Sequence, residues 1–280
     1  MDLSYFRRSG ESLVPNDIAR SSWSANQMHG VAVSGALART LEGSVAEEGL
    51  DQLRPARLTV DLFRPATMDP CRLSAEVVRE GRRICLVDAV LTQDGEKVAR
   101  ASAVFLRPSE SAAGEVWAPT ERPTPPPVEL VPPSEEPRVP FFHSSAGWSQ
   151  KFSRHQNPSR KTSWNTALPI VAGEQITPFQ AAAAVADGAS LVTNWGSRGV
   201  EYINTDITLT LARQPVGLEI GLAAVDRVED EGIAVGTAAV FDRAGQLGSA
   251  VVTSLANARR TVDFESVEYT DDGARRTTRV

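Results

Sequence analysis

The chain has 280 residues, 41% of them hydrophobic, and carries 29 Lys and Arg against 35 Asp and Glu, a net charge of −6. That length builds one large domain or two ordinary ones, and the acidic balance speaks against a nucleic-acid partner, which selects for a clustered basic face. Two cysteines, Cys71 and Cys85, and three scattered histidines give neither a disulfide framework nor metal-ligand spacing, so no metal is expected.

The opening "MDLSYFRRSGES" lacks the apolar core of a signal segment. No run approaches the roughly 20 apolar residues that cross a bilayer. A cytoplasmic protein with no membrane span is therefore expected. The stretch "ESLVPNDIARSSW" offers a first strand candidate. It is followed by "NQMHGVAVSGALARTLEGS" (26–44), where Val33, Leu37 and Leu41 recur at helical spacing. Residues 58–106 then read as consecutive alternating strands joined by polar turns, the last turn being "TQDGEK" around Gly95.

Residues 107–140 hold ten of the 18 prolines, which argues for an extended surface linker. Beyond it the pattern starts again. A strand candidate, "KTSWNTALPIV", precedes "TPFQAAAAVADGAS", a helix of small residues with Thr177 and Gln180 at capping-box spacing and Pro178 in the first turn. Residues 207–255 then repeat the strand series of 58–106 at an offset of about 150, with Arg213 answering Arg64 and Gly245 answering Gly95. The domain reading is an N-terminal repeat (1–107), a Pro-rich linker (108–140), a C-terminal repeat (141–265) and a polar tail (266–280). A helix followed by hairpin-connected strands is expected to be wrapped by its sheet, with small helical residues allowing close approach to that sheet.

The motifs "QMHGVAVSGALARTLE", "LTVDLFRPATMDP", "VREGRRICLVDAVLTQDGEKVARASAVFLR", "ITPFQAAAAVADGAS" and "YINTDITLTLARQPVG" resemble, in order and over nearly the whole chain, the double-hotdog acyl-CoA thioesterases of the thioesterase II type. The resemblance implies an α+β fold, a double hotdog of two tandem repeats in which a sheet wraps a helix. It implies hydrolysis of an acyl-CoA to a carboxylic acid and CoA, with coenzyme A entering only as part of the substrate and no separate cofactor.

Asp187 is the only acid in the second helical run. An acid beside the core has a raised pKa and suits a general base, and the resemblance places the catalytic Asp at this point. A competing reading makes Asp187 a helix-end residue paired with Gly188. The family's Thr and Gln partners align with Tyr202 and Thr253, with Asn204 and Thr205 as substitutes if the register differs. The first helix start, His29, Gly30 and Val31, is the candidate oxyanion and substrate site, because free amides at a helix N-terminus attract anions. His29 is a further candidate donor or titrating group. The Arg79, Arg82 and Arg83 turn reads either as a phosphate contact or as solvated surface. Two alternatives remain: a non-catalytic acyl-CoA or lipid-binding hotdog protein, and an enoyl-CoA hydratase-type enzyme. Exposed sheet edges favour a homodimer or higher homo-oligomer.

Overall fold

The computed structural model describes residues 3–257, 259–265, 267–270 and 275–277. The chain opens with a hairpin of β1 (Phe6–Ser9) and β2 (Ser12–Pro15) and then enters α1 (Gly30–Glu47). Helix α1 starts four residues later than the pattern 26–44 suggests, because His29 caps it and residues 20–28 are held in bridges to neighbouring loops. Four strands follow: β3 (Arg54–Asp61), β4 (Arg72–Glu80), β5 (Ile84–Gln93) and β6 (Glu96–Leu106). The turn between β5 and β6 has Asp94 at φ 49° and Gly95 at φ 79°. Two successive positive values give the turn that matches strand twist, and an Asp-Gly pair adopts them at low cost.

After the linker come β7 (Phe141–Ser144), β8 (Gly147–Ser149) and β9 (Thr162–Thr166), then α2 (Pro178–Ala186) and α3 (Gly188–Asn194). One short pair, β10 (Trp195–Gly196) with β11 (Gly199–Val200), leads to β12 (Tyr202–Asn204), β13 (Asp206–Leu211), β14 (Glu219–Asp230), β15 (Ile233–Asp242) and β16 (Gly245–Ala256). A last hairpin joins β17 (Val267–Tyr269) to β18 (Arg275–Thr277).

The main sheet runs β4-β5-β6-β3-β13-β16-β15-β14-β9-β7-β8, with β12 paired to β16. Its middle is a palindrome. Strands 4-5-6-3 of the first half meet their counterparts 13-16-15-14 in reverse order, and the seam is the antiparallel β3–β13 pair, Asp61 opposite Asp206 through Arg57 opposite Thr210. Duplication with a two-fold seam explains why the strand patterns of 58–106 and 207–255 coincide. Helix α1 packs on β4, β5 and β6, and α3 on β14 and β15.

Helix α2 rests mainly on α1. A Cβ on Gly35 of α1 would lie 3.3 Å from the Ala184 Cβ and 2.5 Å from Ile170 Cδ1. The small residues therefore serve helix-on-helix contact as well as contact with the sheet. At the α2 start only half of the expected capping box forms. The Gln180 amide donates to Thr177 Oγ1 at 3.2 Å, while the Gln180 side chain and the Thr177 hydroxyl both donate to Glu42 Oε2 at 2.8 Å.

Residues 107–140 contain no helix or strand and are tied down at several points. Val131 is fully buried against Trp164 and Phe241. Arg138 donates to Glu219, 2.6 Å away, which also receives Arg243 at 2.5 Å and the Trp164 indole at 3.1 Å. Glu219 is a buried carboxylate satisfied from three sides. Removing it leaves two guanidinium groups without their counter-charge, so Glu219→Ala is expected to lower stability by about 3–5 kcal/mol in denaturant unfolding.

The arginine turn follows its solvated-surface reading, and the polar tail is partly ordered. Arg79, Arg82 and Arg83 are exposed at the β4–β5 end of the sheet, next to Arg54 and Leu106 rather than to Asp61. That end is more than about 20 Å along β3 from the site described below. Part of the polar tail 266–280 is ordered strand, with Val267 buried and Tyr269 packed on a second aromatic cluster; residues 266, 271–274 and 278–280 lie outside the described residues. Among the described residues, no helix is long and apolar enough to cross a membrane.

Candidate active site

Asp187 occupies the junction of α2 and α3 with helical backbone angles (φ −58°, ψ −30°), and its side chain makes no capping bond to either helix. The carboxylate turns instead toward the start of α1. It accepts from Asn204 Nδ2 at 2.9 Å and from the Val31 amide. Asp187 does stand at the helix end beside Gly188, but its side chain caps neither helix.

Burial is the larger influence on this acid. It pushes the pKa up to about 6, while the bonds from Asn204 and Val31 pull it down. The positive end of α1 also favours the carboxylate. The approach is close because position 30 has no side chain. A Cβ on Gly30 would collide with Asp187 Oδ1 and lie 2.6 Å from its Cγ and 2.8 Å from Oδ2. A Gly is required here for space.

His29 caps α1, its Nδ1 accepting from the Ala32 amide at 3.1 Å and its Nε2–H donating to the Ile18 carbonyl at 2.9 Å. These two partners fix the neutral Nε2–H tautomer, and burial lowers the pKa against the Ile18 bond, which raises it. Both ring nitrogens are thus committed to backbone, so His29 serves as the helix cap. Its ring still borders the site and takes the edge of Tyr5 at 5.4 Å.

Two cavities meet at Asp187. The larger, about 420 Å³, includes Tyr5, His29, Val31, Leu168, Leu191 and Asn204 in its lining. The smaller, about 250 Å³, runs past Gly30 along Leu62, Phe63, Arg64 and Thr205. Ser21, Trp23, His29, Asp187 and Asn204 line both.

Of the expected partners, Asn204 reaches the carboxylate. Thr205 lines the smaller cavity, but its hydroxyl has its one proton between two acceptors, Asp206 Oδ2 at 3.1 Å and the Thr253 carbonyl at 3.3 Å. Val31 contributes its side chain to the larger cavity, while its amide is taken by Asp187.

Tyr202 and Thr253 do not join the site. Tyr202 pairs with Ala256, two residues along from Asn204, and its ring lies under the Arg227 guanidinium, 4.8 Å away, in a separate cavity of about 590 Å³. Thr253 stands opposite the exposed Val235, whereas Asn204 stands opposite the buried Ser254. Neighbouring residues of a strand face opposite sides, so the Thr253 side chain points away from the face that carries Asn204.

The sequence reading missed Tyr5. Its ring is buried on the cavity wall, where desolvation and the charge of Asp187 push the phenol well above its usual range. No local motif marks it. Tyr5 reaches the site because its amide and that of Phe6 donate to the Pro169 and Ile170 carbonyls, far along the chain (3.1 and 2.9 Å).

Comparison with known proteins agrees with this architecture. Residues 19–106 match the acyl-CoA thioesterase N-terminal domain and residues 118–253 the acyl-CoA thioesterase C-terminal domain. Similar solved structures include a tesB protein from Mycobacterium avium subs paratuberculosis (15% identity, TM-score 0.61, covering 90% of this chain and 95% of that one). The acyl-CoA thioesterase II TesB2 from Mycobacterium marinum is also similar (15%, 0.54, 81% and 89%). So is a conserved protein with a hot dog fold from Alicyclobacillus acidocaldarius (18%, 0.60, 90% and 95%). No curated protein matches the chain. Two consecutive domain matches over the halves of a palindromic sheet establish the double hotdog, and the chain belongs to the acyl-CoA thioesterase family.

Proposed function

We propose that the chain hydrolyses an acyl-CoA at Asp187 without a further cofactor. The observation that carries this reading is the carboxylate itself, half-enclosed where two cavities meet, with a pKa raised to about 6. Such a group is ionised at neutral pH and still basic enough to take a proton.

A water between Asp187 and the thioester attacks the carbonyl carbon as its proton passes to the carboxylate. The carbonyl electrons move onto oxygen. Collapse of that tetrahedral species breaks the C–S bond, and the Asp187 proton leaves with the CoA sulfur as a thiol. Val31 and Ala32 have their amides engaged by Asp187 and His29. This leaves the Gly30 amide as the helix-start donor for the developing oxyanion. The larger, mainly apolar cavity takes the acyl group and the smaller one the pantetheine arm. A hydratase needs a histidine free to act beside the acid, and His29 has both nitrogens committed to backbone.

The test is thiol release against pH. Activity requires the ionised carboxylate, and the pKa is raised to about 6. So kcat/KM is expected to be level above about pH 7 and to fall as pH drops through 6, approaching tenfold per unit. The Asn204 bond lowers this pKa. Asn204→Leu is therefore expected to move the acid limb to higher pH and to cut the plateau roughly tenfold. A profile level down to pH 4, or no thiol release from any acyl-CoA, contradicts the reading.

A further inference from the structure

The family match ends at residue 253, and β16 ends at Ala256. The chain then doubles back to the larger cavity and is fastened by three unrelated parts of the molecule. Val262 exchanges both backbone bonds with Val200, at 2.9 and 3.1 Å. The Phe264 amide donates to Gln156 Oε1 at 2.9 Å. The Tyr269 hydroxyl lies 3.0 Å from Ser22 Oγ on the far lip of the cavity.

These contacts present Val262, Phe264 and Tyr269 to the cavity beside Phe152 and Trp23. The Phe152 ring meets Phe264 at 5.1 Å and Tyr269 at 4.8 Å, and Trp195 meets Phe264 at 4.8 Å. This aromatic cluster is separate from the core that fills the two repeats. Phe152 and Trp195 belong to the second repeat, while Val262, Phe264 and Tyr269 come from the segment after β16, so that segment completes the wall on its side of the cavity.

We infer that this segment is the acyl-specificity wall of the site and that the acyl group it selects carries a compact ring. The inference rests on the thioesterase reading above. Edge and face contacts between rings favour an aromatic acyl group over a flexible alkyl chain of similar area, and a space of about 420 Å³ suits a compact group.

The experiment measures kcat/KM for acetyl-, phenylacetyl- and palmitoyl-CoA with the whole chain. Wild type is expected to prefer phenylacetyl- over palmitoyl-CoA by about tenfold or more, and Phe264→Ala to lower the phenylacetyl-to-acetyl ratio about tenfold. Phe264→Leu, which keeps the wall filled but removes the ring, is expected to lower the same ratio by a smaller factor. Leu191→Phe, which narrows the cavity from α3, is expected to lower it as well. Equal losses on acetyl and phenylacetyl substrates, or a wild-type preference for palmitoyl-CoA, overturn the inference. If wild type hydrolyses none of the three, the hydrolysis reading fails instead. Binding of a phenylacetyl-CoA thioether analogue then decides the wall alone: about tenfold weaker binding by Phe264→Leu supports it, and unchanged binding overturns it.

Discussion

Asp187→Asn is expected to reduce kcat on acyl-CoA by about 10²–10⁴-fold, the contribution of a positioned general base, while substrate binding is retained. The amide fills the same space and can still accept from Asn204, so the cavity walls stay where they are. What it cannot do is take the proton of the attacking water. Stability separates this loss from damage to the fold. The folded-state pKa of Asp187 is raised from 3.8 to about 6, so the ionised form is disfavoured by folding. The native state is relatively favoured where the acid is protonated, loses that advantage as pH rises from about 4 to 6, and carries the full penalty above 6. At pH 8 the neutral variant escapes it and is expected to be as stable as wild type or more so, by up to about 3 kcal/mol. A variant that loses both activity and stability at pH 8 contradicts this account.

Gly30→Ala is expected to fail in the opposite way. The added methyl enters the space held by the Asp187 carboxyl, and one of them must move. Either movement breaks the approach of the acid to the α1 start and alters the Val31 bond. A displacement of about 1 Å at a reacting group costs on the order of 10²-fold in rate, and overpacking of this kind costs about 1–3 kcal/mol in stability. Steady-state thiol release and denaturant unfolding of the same preparation check both. Wild-type rates in Gly30→Ala would show that the close contact between Gly30 and Asp187 is not needed for turnover.

The repeated strands were legible because period-two alternation and the paired turns at Gly95 and Gly245 are local signals, and the sheet seam then follows from joining two copies. Asp187 was legible as a lone acid in an apolar helical run. Its partners were not, for a reason set by strand geometry. Asn204 and Tyr202 are two residues apart on β12, and Thr253 and Ser254 are adjacent on β16, so a slip of one or two positions decides which side chain meets the acid. His29 was legible as a residue at a helix start, but its capping role depends on the Ile18 carbonyl, which no spacing announces. Tyr5 and the segment from Val262 to Tyr269 reach the site through contacts spanning most of the chain, for which the sequence carries no periodic signal.

The most direct test is thiol release from an acyl-CoA panel by wild type and Asp187→Asn, with binding of a non-hydrolysable acyl-CoA thioether measured on both. The account predicts turnover by wild type, a loss of 10²-fold or more in the variant, and matched binding. Comparable turnover by the two proteins, or binding without turnover in wild type, would contradict it.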